Sequence, residues 1–134
     1  MIATWPIGQE SKRNVAMAFD ETARRLFISA NNPEKLIVLN SDSGAIVASL
    51  PTGHMVDDMA YDAKSKRIYV TGSDFIDVFQ QKDPDHYDLV GQVSSSFRAK
   101  TAILVPQQNR YYLAAPRHEG KSAEVRVFEV KPSS

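Results

Sequence analysis

The stretch Asn14-Val15-Ala16-Met17-Ala18-Phe19-Asp20, followed after four residues by Arg25-Leu26-Phe27-Ile28, returns 42 residues later as Val56-Asp57-Asp58-Met59-Ala60-Tyr61-Asp62 followed by Arg67-Ile68-Tyr69-Val70. A weaker third copy, Ala99 to Val105 and then Arg110-Tyr111-Tyr112-Leu113, lies a further 43 residues on. Internal periodicity of this length marks an array of supersecondary units and takes precedence over local propensity. The first copy taken alone, with its alanines, Glu21 and two arginines, fits a helix. The second does not. Asp62-Ala63-Lys64-Ser65-Lys66 is a polar turn, and Arg67 to Thr71 is β-branched and aromatic. Copies of one unit share one structure, so each is read as two strands, A and B, joined by a tight turn.

The rest of each unit follows. Leu36 to Leu39, Ile76 to Phe79 and Val125 to Phe128 are apolar runs of strand length and form strand C. Ala45 to Leu50 and Tyr87 to Val93 form strand D in the first two units. The third unit has no D segment. Instead, Ile2-Ala3-Thr4-Trp5-Pro6-Ile7-Gly8 matches Val47 to Gly53 at an offset of 45 and is read as the D strand of a unit lacking its first three strands. Four-stranded units of this length are the blades of a β-propeller. The expected fold is therefore all-β, built of four-stranded antiparallel blades, three per chain, as a partial or dimer-completed ring. Its expected boundaries are an outer strand over residues 1–8, blades over 9–52 and 53–94, and a blade lacking its outer strand over 95–131.

Composition bounds the rest. The 134 residues are 43% hydrophobic, and 16 basic residues balance 16 acidic ones, so neither a nucleic-acid face nor a polybasic membrane patch is expected. There is no cysteine, which removes disulfides and thiolate chemistry. No apolar run approaches membrane-spanning length. Met1 to Pro6 has neither a basic nor an apolar leader region, so no signal peptide is visible.

Lys66-Arg67-Ile68-Tyr69-Val70-Thr71-Gly72, Phe75-Ile76-Asp77-Val78-Phe79-Gln80-Gln81 and Val38-Leu39-Asn40-Ser41-Asp42-Ser43-Gly44 carry a resemblance to the YVTN-type, YncE-like bacterial β-propellers. The resemblance runs over essentially the whole chain, which is similar to the C-terminal three blades of a protein that usually has about seven. It implies a propeller of the kind often exported, and it is nearly silent on activity, because propellers host many unrelated ones.

Three blades fall short of the roughly four to eight that close a ring, so two apolar blade faces stay open. Either the chain is a piece of a larger propeller, or copies assemble. Two chains supply six blades, and residues 2–7 of one copy fill the vacant outer position beside Val125 to Val130 of the other.

Ligands are expected at the channel mouth, where the D-to-A and B-to-C loops gather. His54, Asp57 and Asp58 stand there at the start of the second inner strand. An imidazole with two carboxylates can bind a divalent metal or serve as acid and base. Adjacent strand residues point to opposite faces, however, and an aspartate at a strand mouth readily accepts backbone hydrogen bonds. Arg13, Lys100, Arg117 and His118, with Arg98 and Lys121 nearby, fall on the same face. They form either an anion-attracting funnel or, with Glu10, Glu34 and Glu119 among them, a mixed solvated surface. Arg25, Arg67 and Arg110 recur in register, as do Asp20 and Asp62, which assigns them to structure. Phe27, Tyr69 and Tyr112 are expected between blades, and Trp5, aligned with Leu50, is expected to pack. Asp83, Asp85 and His86 are read as a hairpin turn. No nucleophile elbow, phosphate loop or zinc-protease motif is present. The function expected is a non-enzymatic binding or scaffold module with no cofactor, the alternative being a lactonase-like or other metal-assisted hydrolase.

Overall fold

In the computed structural model, which describes residues 1–53, 55–99 and 101–131, three antiparallel sheets follow one another along the chain. The first is β1 (Arg13–Asp20), β2 (Arg25–Asn31), β3 (Lys35–Asn40) and β4 (Ile46–Pro51). The second is β5 (Asp58–Asp62), β6 (Arg67–Thr71), β7 (Phe75–Asp83) and β8 (His86–Ser94). The third holds β9 (Thr101–Val105), β10 (Arg110–Ala115) and β11 (Glu124–Glu129), with no fourth strand among the described residues. Each sheet is a meander, and β1, β5 and β9 stand side by side at the inner edge. This is a partial β-propeller of blades. Among the described residues, no helix is long and apolar enough to cross a membrane.

Period-2 alternation explains how the blades stack. Phe27, Leu36 and Val38 of the first blade meet Val56, Ile68, Val70 and Phe79 of the second. Tyr69 and Ile76, from the second blade's opposite face, meet Tyr111 and Leu113 of the third. Small residues at Ala16, Ala18 and Ala60 let the inner strands crowd together.

The A-to-B turn repeats in detail. Asp20 Oδ1 accepts the Ala23 N–H at 3.2 Å, and Asp62 Oδ1 accepts the Lys64 N–H at 3.1 Å. The residue before each recurring arginine is left-handed: Arg24 (φ 58°), Lys66 (φ 56°) and Asn109 (φ 53°). Its carbonyl accepts an N–H from the end of strand C, at Ser41, Gln81 and Val130 respectively.

Residues 1–6 lie in no strand and, among the described residues, make no backbone hydrogen bond to the rest of the chain. The residues they match in β4 pair along β3. No strand among the described residues pairs with this segment, so the expected outer strand does not form here. The segment lies over the first blade's outer face, where Ile7 packs near Ile28 and Leu39. The Trp5 ring sits so close to Gly44 (φ 78°) that a Cβ there would fall 2.3 Å from it, so only glycine fits.

The third blade's outer face is open, and the first blade's is only partly covered by residues 1–7. On the first, Met17 is 59% and Phe19 47% exposed; on the third, Ile103 is 60%, Val125 65% and Val127 57% exposed. Tyr112, expected between blades, is half-buried on this open face, because no fourth blade covers it. The chain exposes 8027 Å², against about 7,000 Å² for an ordinary compact monomer of its mass.

Beneath the A-to-B turns a buried polar network joins the first two blades. Gln81 donates from Nε2 to Asp20 Oδ2 at 3.0 Å and to the Tyr87 hydroxyl at 3.1 Å. Its Oε1 accepts from Tyr61 at 2.7 Å. Burial raises the pKa values of the Tyr61, Tyr87 and Tyr111 phenols, the last two to about 12. The folded phenols thus hold protons that the unfolded chain releases near pH 10. Stability from this source is fully present below pH 10 and declines as pH rises from there through the folded values. Urea midpoints measured between pH 8 and 11.5 should be flat at first and fall above about pH 10; a midpoint that holds steady to pH 11.5 refutes the assignment.

Candidate functional site: the channel-mouth loops

The loops at the channel mouth are set by hydrogen bonds that fasten each D-to-A loop to a B-to-C loop. The Ser11 hydroxyl donates to the Pro33 carbonyl at 2.9 Å and also to that of Asn31. Ser95 instead binds back to the blade it leaves, donating to the Gly72 carbonyl at 2.9 Å. Across the first blade junction, Asn31 reads both backbone groups of Val56, donating to its carbonyl at 3.0 Å and accepting its N–H at 3.1 Å. Across the second, Ser73 Oγ accepts the Arg98 N–H at 2.9 Å. Asp77, 1% exposed, accepts from the Gly53 N–H and from Gln92 Nε2 at 2.9 Å, pinning the loop that leads into the second blade.

The candidate residues separate on this frame. His54 and Lys100 lie outside the described residues. Asp58 Oδ1 accepts the Met59 N–H at 2.8 Å, and Oδ2 accepts the Ala102 N–H of β9 at 3.0 Å. Both its oxygens therefore serve backbone, one of them in the next blade. Asp57 is half-buried, and its own N–H donates to the Thr71 carbonyl at 2.9 Å. Arg13 begins β1 and is exposed, and Arg117 is exposed in the loop after β10. Among the described residues, no three histidines or carboxylates converge as a metal cage.

His118 is brought into a group. Its ring stacks on Phe97 at 4.2 Å between centroids and 24° between planes, and the Arg98 guanidinium lies 5.3 Å from the centre of the Phe97 ring. His118 and Lys121 exchange backbone hydrogen bonds of 3.1 and 2.9 Å, closing the loop into a small hairpin. A polar cleft of about 190 Å³ opens beside them, lined by Ser95, Phe97, His118, Lys121 and Arg126. Glu119 lies 3.7 Å from His118, and Glu124 lies 3.4 Å from Arg126, so the cationic character is tempered. Glu10, on the same face, is spent on Lys35 at 2.8 Å and Ser49 at 3.0 Å, which hold its carboxyl below the usual range. The arrangement presents a flat aromatic-cationic lip.

Sequence reasoning did not find Phe97, Asn31 or Asp77. Phe97 carries no sequence signal, since its role depends on a loop from the far end of the same blade.

No protein-family profile matches the chain, and no curated protein matches it. Solved structures do. A Bacteroides uniformis protein assigned provisionally as a 6-phosphogluconolactonase matches with a TM-score of 0.73 at 14% identity, over 97% of this chain and 41% of that one. A eukaryotic initiation factor matches at 0.72 and 10% identity, over 98% and 33%. The Cps50 (Swd1) β-propeller domain of Myceliophteria thermophila matches at 0.68 and 12% identity, over 87% and 40%. The chain thus spans about a third to two fifths of the solved chains it matches, and at such identities the likeness is one of fold: three blades out of a propeller.

Proposed function

We propose that the protein is a propeller binding module, akin to the YVTN-type repeat proteins, whose ring is completed by a second copy and whose channel-mouth loops take the ligand. The observation that carries it is the pair of unmet needs in one copy. Residues 1–6 repeat a D-strand sequence without a backbone ladder, and β11 offers its outer edge with no strand beside it among the described residues. An unpaired edge of six residues that carries the exposed Val125 and Val127 is a ready template for strand addition. The excess of roughly 1,000 Å² of exposed surface per copy is of the size that stable interfaces bury. The second blade's complete four-strand pattern is the arrangement the third would reach. Catalysis by Asp58 is disfavoured, because both its oxygens are engaged by backbone N–H groups.

Light scattering after size exclusion tests the assembly. The expected mass at micromolar concentration is twice 14.9 kDa. Deleting residues 1–7 should return the chain to a monomer; a wild-type chain that runs as a monomer overturns the proposal.

A further inference from the structure

Resting on the two-copy ring just proposed, we infer that Arg110 is a preset docking group for the first blade of the second copy, with Asp42 of that copy as its acceptor. The inference comes from what the same arginine does at the two junctions inside the chain. Arg25, at the start of β2, anchors Nη1 on the carbonyls of Ala23 and Arg24 at 3.2 and 3.3 Å. It then reaches forward to the turn between β7 and β8 of the next blade. Nε and Nη2 meet Asp85 Oδ1 at 3.1 and 2.7 Å, and Nε also meets the Pro84 carbonyl at 3.2 Å. Arg67, one repeat on, reaches forward likewise, from Nη1 to the Lys131 carbonyl at 2.8 Å, just past β11 of the third blade.

Arg110 occupies the third equivalent position, paired with Val105 as Arg25 pairs with Asp20. It adopts the first half of the Arg25 pose: Nη1 rests on the two preceding carbonyls, Gln108 and Asn109, at 3.3 and 3.4 Å. Among the described residues, its Nε and Nη2, the atoms by which Arg25 grips the next blade, have no partner. The guanidinium fork is held in place by its own turn and stands beside the open face that exposes Ile103, Val125 and Val127.

In the two-copy ring the blade following the third is the first blade of the other copy. Its turn between β3 and β4 corresponds to the one that carries Pro84 and Asp85, and it carries Asp42. That carboxylate is exposed and, among the described residues of its own copy, accepts from Arg24 alone. A carboxylate has acceptor sites for two guanidinium groups, and bidentate geometry suits the fork. Charge, position and repeat register thus agree on one acceptor.

The test is a dissociation constant for the full chain, by analytical ultracentrifugation over a dilution series, for wild type, Arg110→Ala, Arg110→Lys, Asp42→Asn and the Arg110→Ala/Asp42→Asn double variant. Arg110→Ala and Asp42→Asn should each weaken pairing by at least about tenfold, and the double variant no more than the stronger single one. Arg110→Lys should recover only part of the loss. Circular dichroism melts at a concentration where all variants are monomeric should coincide, separating docking from folding. A wild-type dimer whose constant is untouched by Arg110→Ala, or losses that simply add in the double variant, overturns this inference and leaves the ring proposal standing. A monomeric wild-type chain overturns both.

Discussion

Replacing Phe27 with alanine should cost about 3–5 kcal/mol in urea denaturation of the dilute chain, a large part of the stability of a domain this size. Phe27 is fully buried between the first and second blades. Its ring meets Tyr61 at 5.1 Å and Tyr87 edge-on at 5.8 Å. Truncation leaves a cavity walled by Leu36, Val38, Val70 and Phe79 on strands that are already paired, which restricts how far the walls can close. Tyr112, the matching residue of the third blade, supplies the control. On an open face it should cost only about 1 kcal/mol when changed to alanine. Equal losses at the two positions refute the assignment of faces.

Asp58→Ala should cost about 2–3 kcal/mol, because two backbone donors lose a charged acceptor at once. Asp58→Asn should rescue little: one of the two N–H groups then faces an amide NH₂. The strain falls at the junction of the second and third blades, so hydrogen exchange at the Ala102 amide should accelerate more than exchange within β2 or β3. A variant at position 58 that melts like wild type but loses a ligand would instead make the carboxylate a binding group and refute its role as a blade tie.

Much of this is legible in the chain because the repeats can be compared. Asn14 to Asp20, read beside Val56 to Asp62, loses its helical option, and the recurrence of arginine at 25, 67 and 110 marks a structural post. The forward reach of that arginine is not legible, since its acceptors differ in kind: a carboxylate at Asp85 and a bare carbonyl at Lys131. Sequence registers side chains and is blind to carbonyls. The same blindness affects Asp58, whose partners are backbone N–H groups, one of them 44 residues away. The Phe97 and His118 stack depends on the path of the loop between β10 and β11, where a left-handed Glu119 (φ 47°) precedes Gly120 (φ 79°). Charge counting placed cations there but not the ring between them.

The shared direction of the arginine clamps has a further consequence. Arg25 and Arg67 both grip the blade that comes after them, so every blade has a donor side and an acceptor side, and like sides do not match. In the proposed ring, copies of such a chain would join head to tail. In a closed pair the two junctions form together, the second at the high effective concentration set by the first. A substitution at Arg110 is then felt at both junctions, and a tenfold loss at each becomes about a hundredfold loss for the ring. Dilution should accordingly separate the copies in one step, with no half-open pair accumulating on the way.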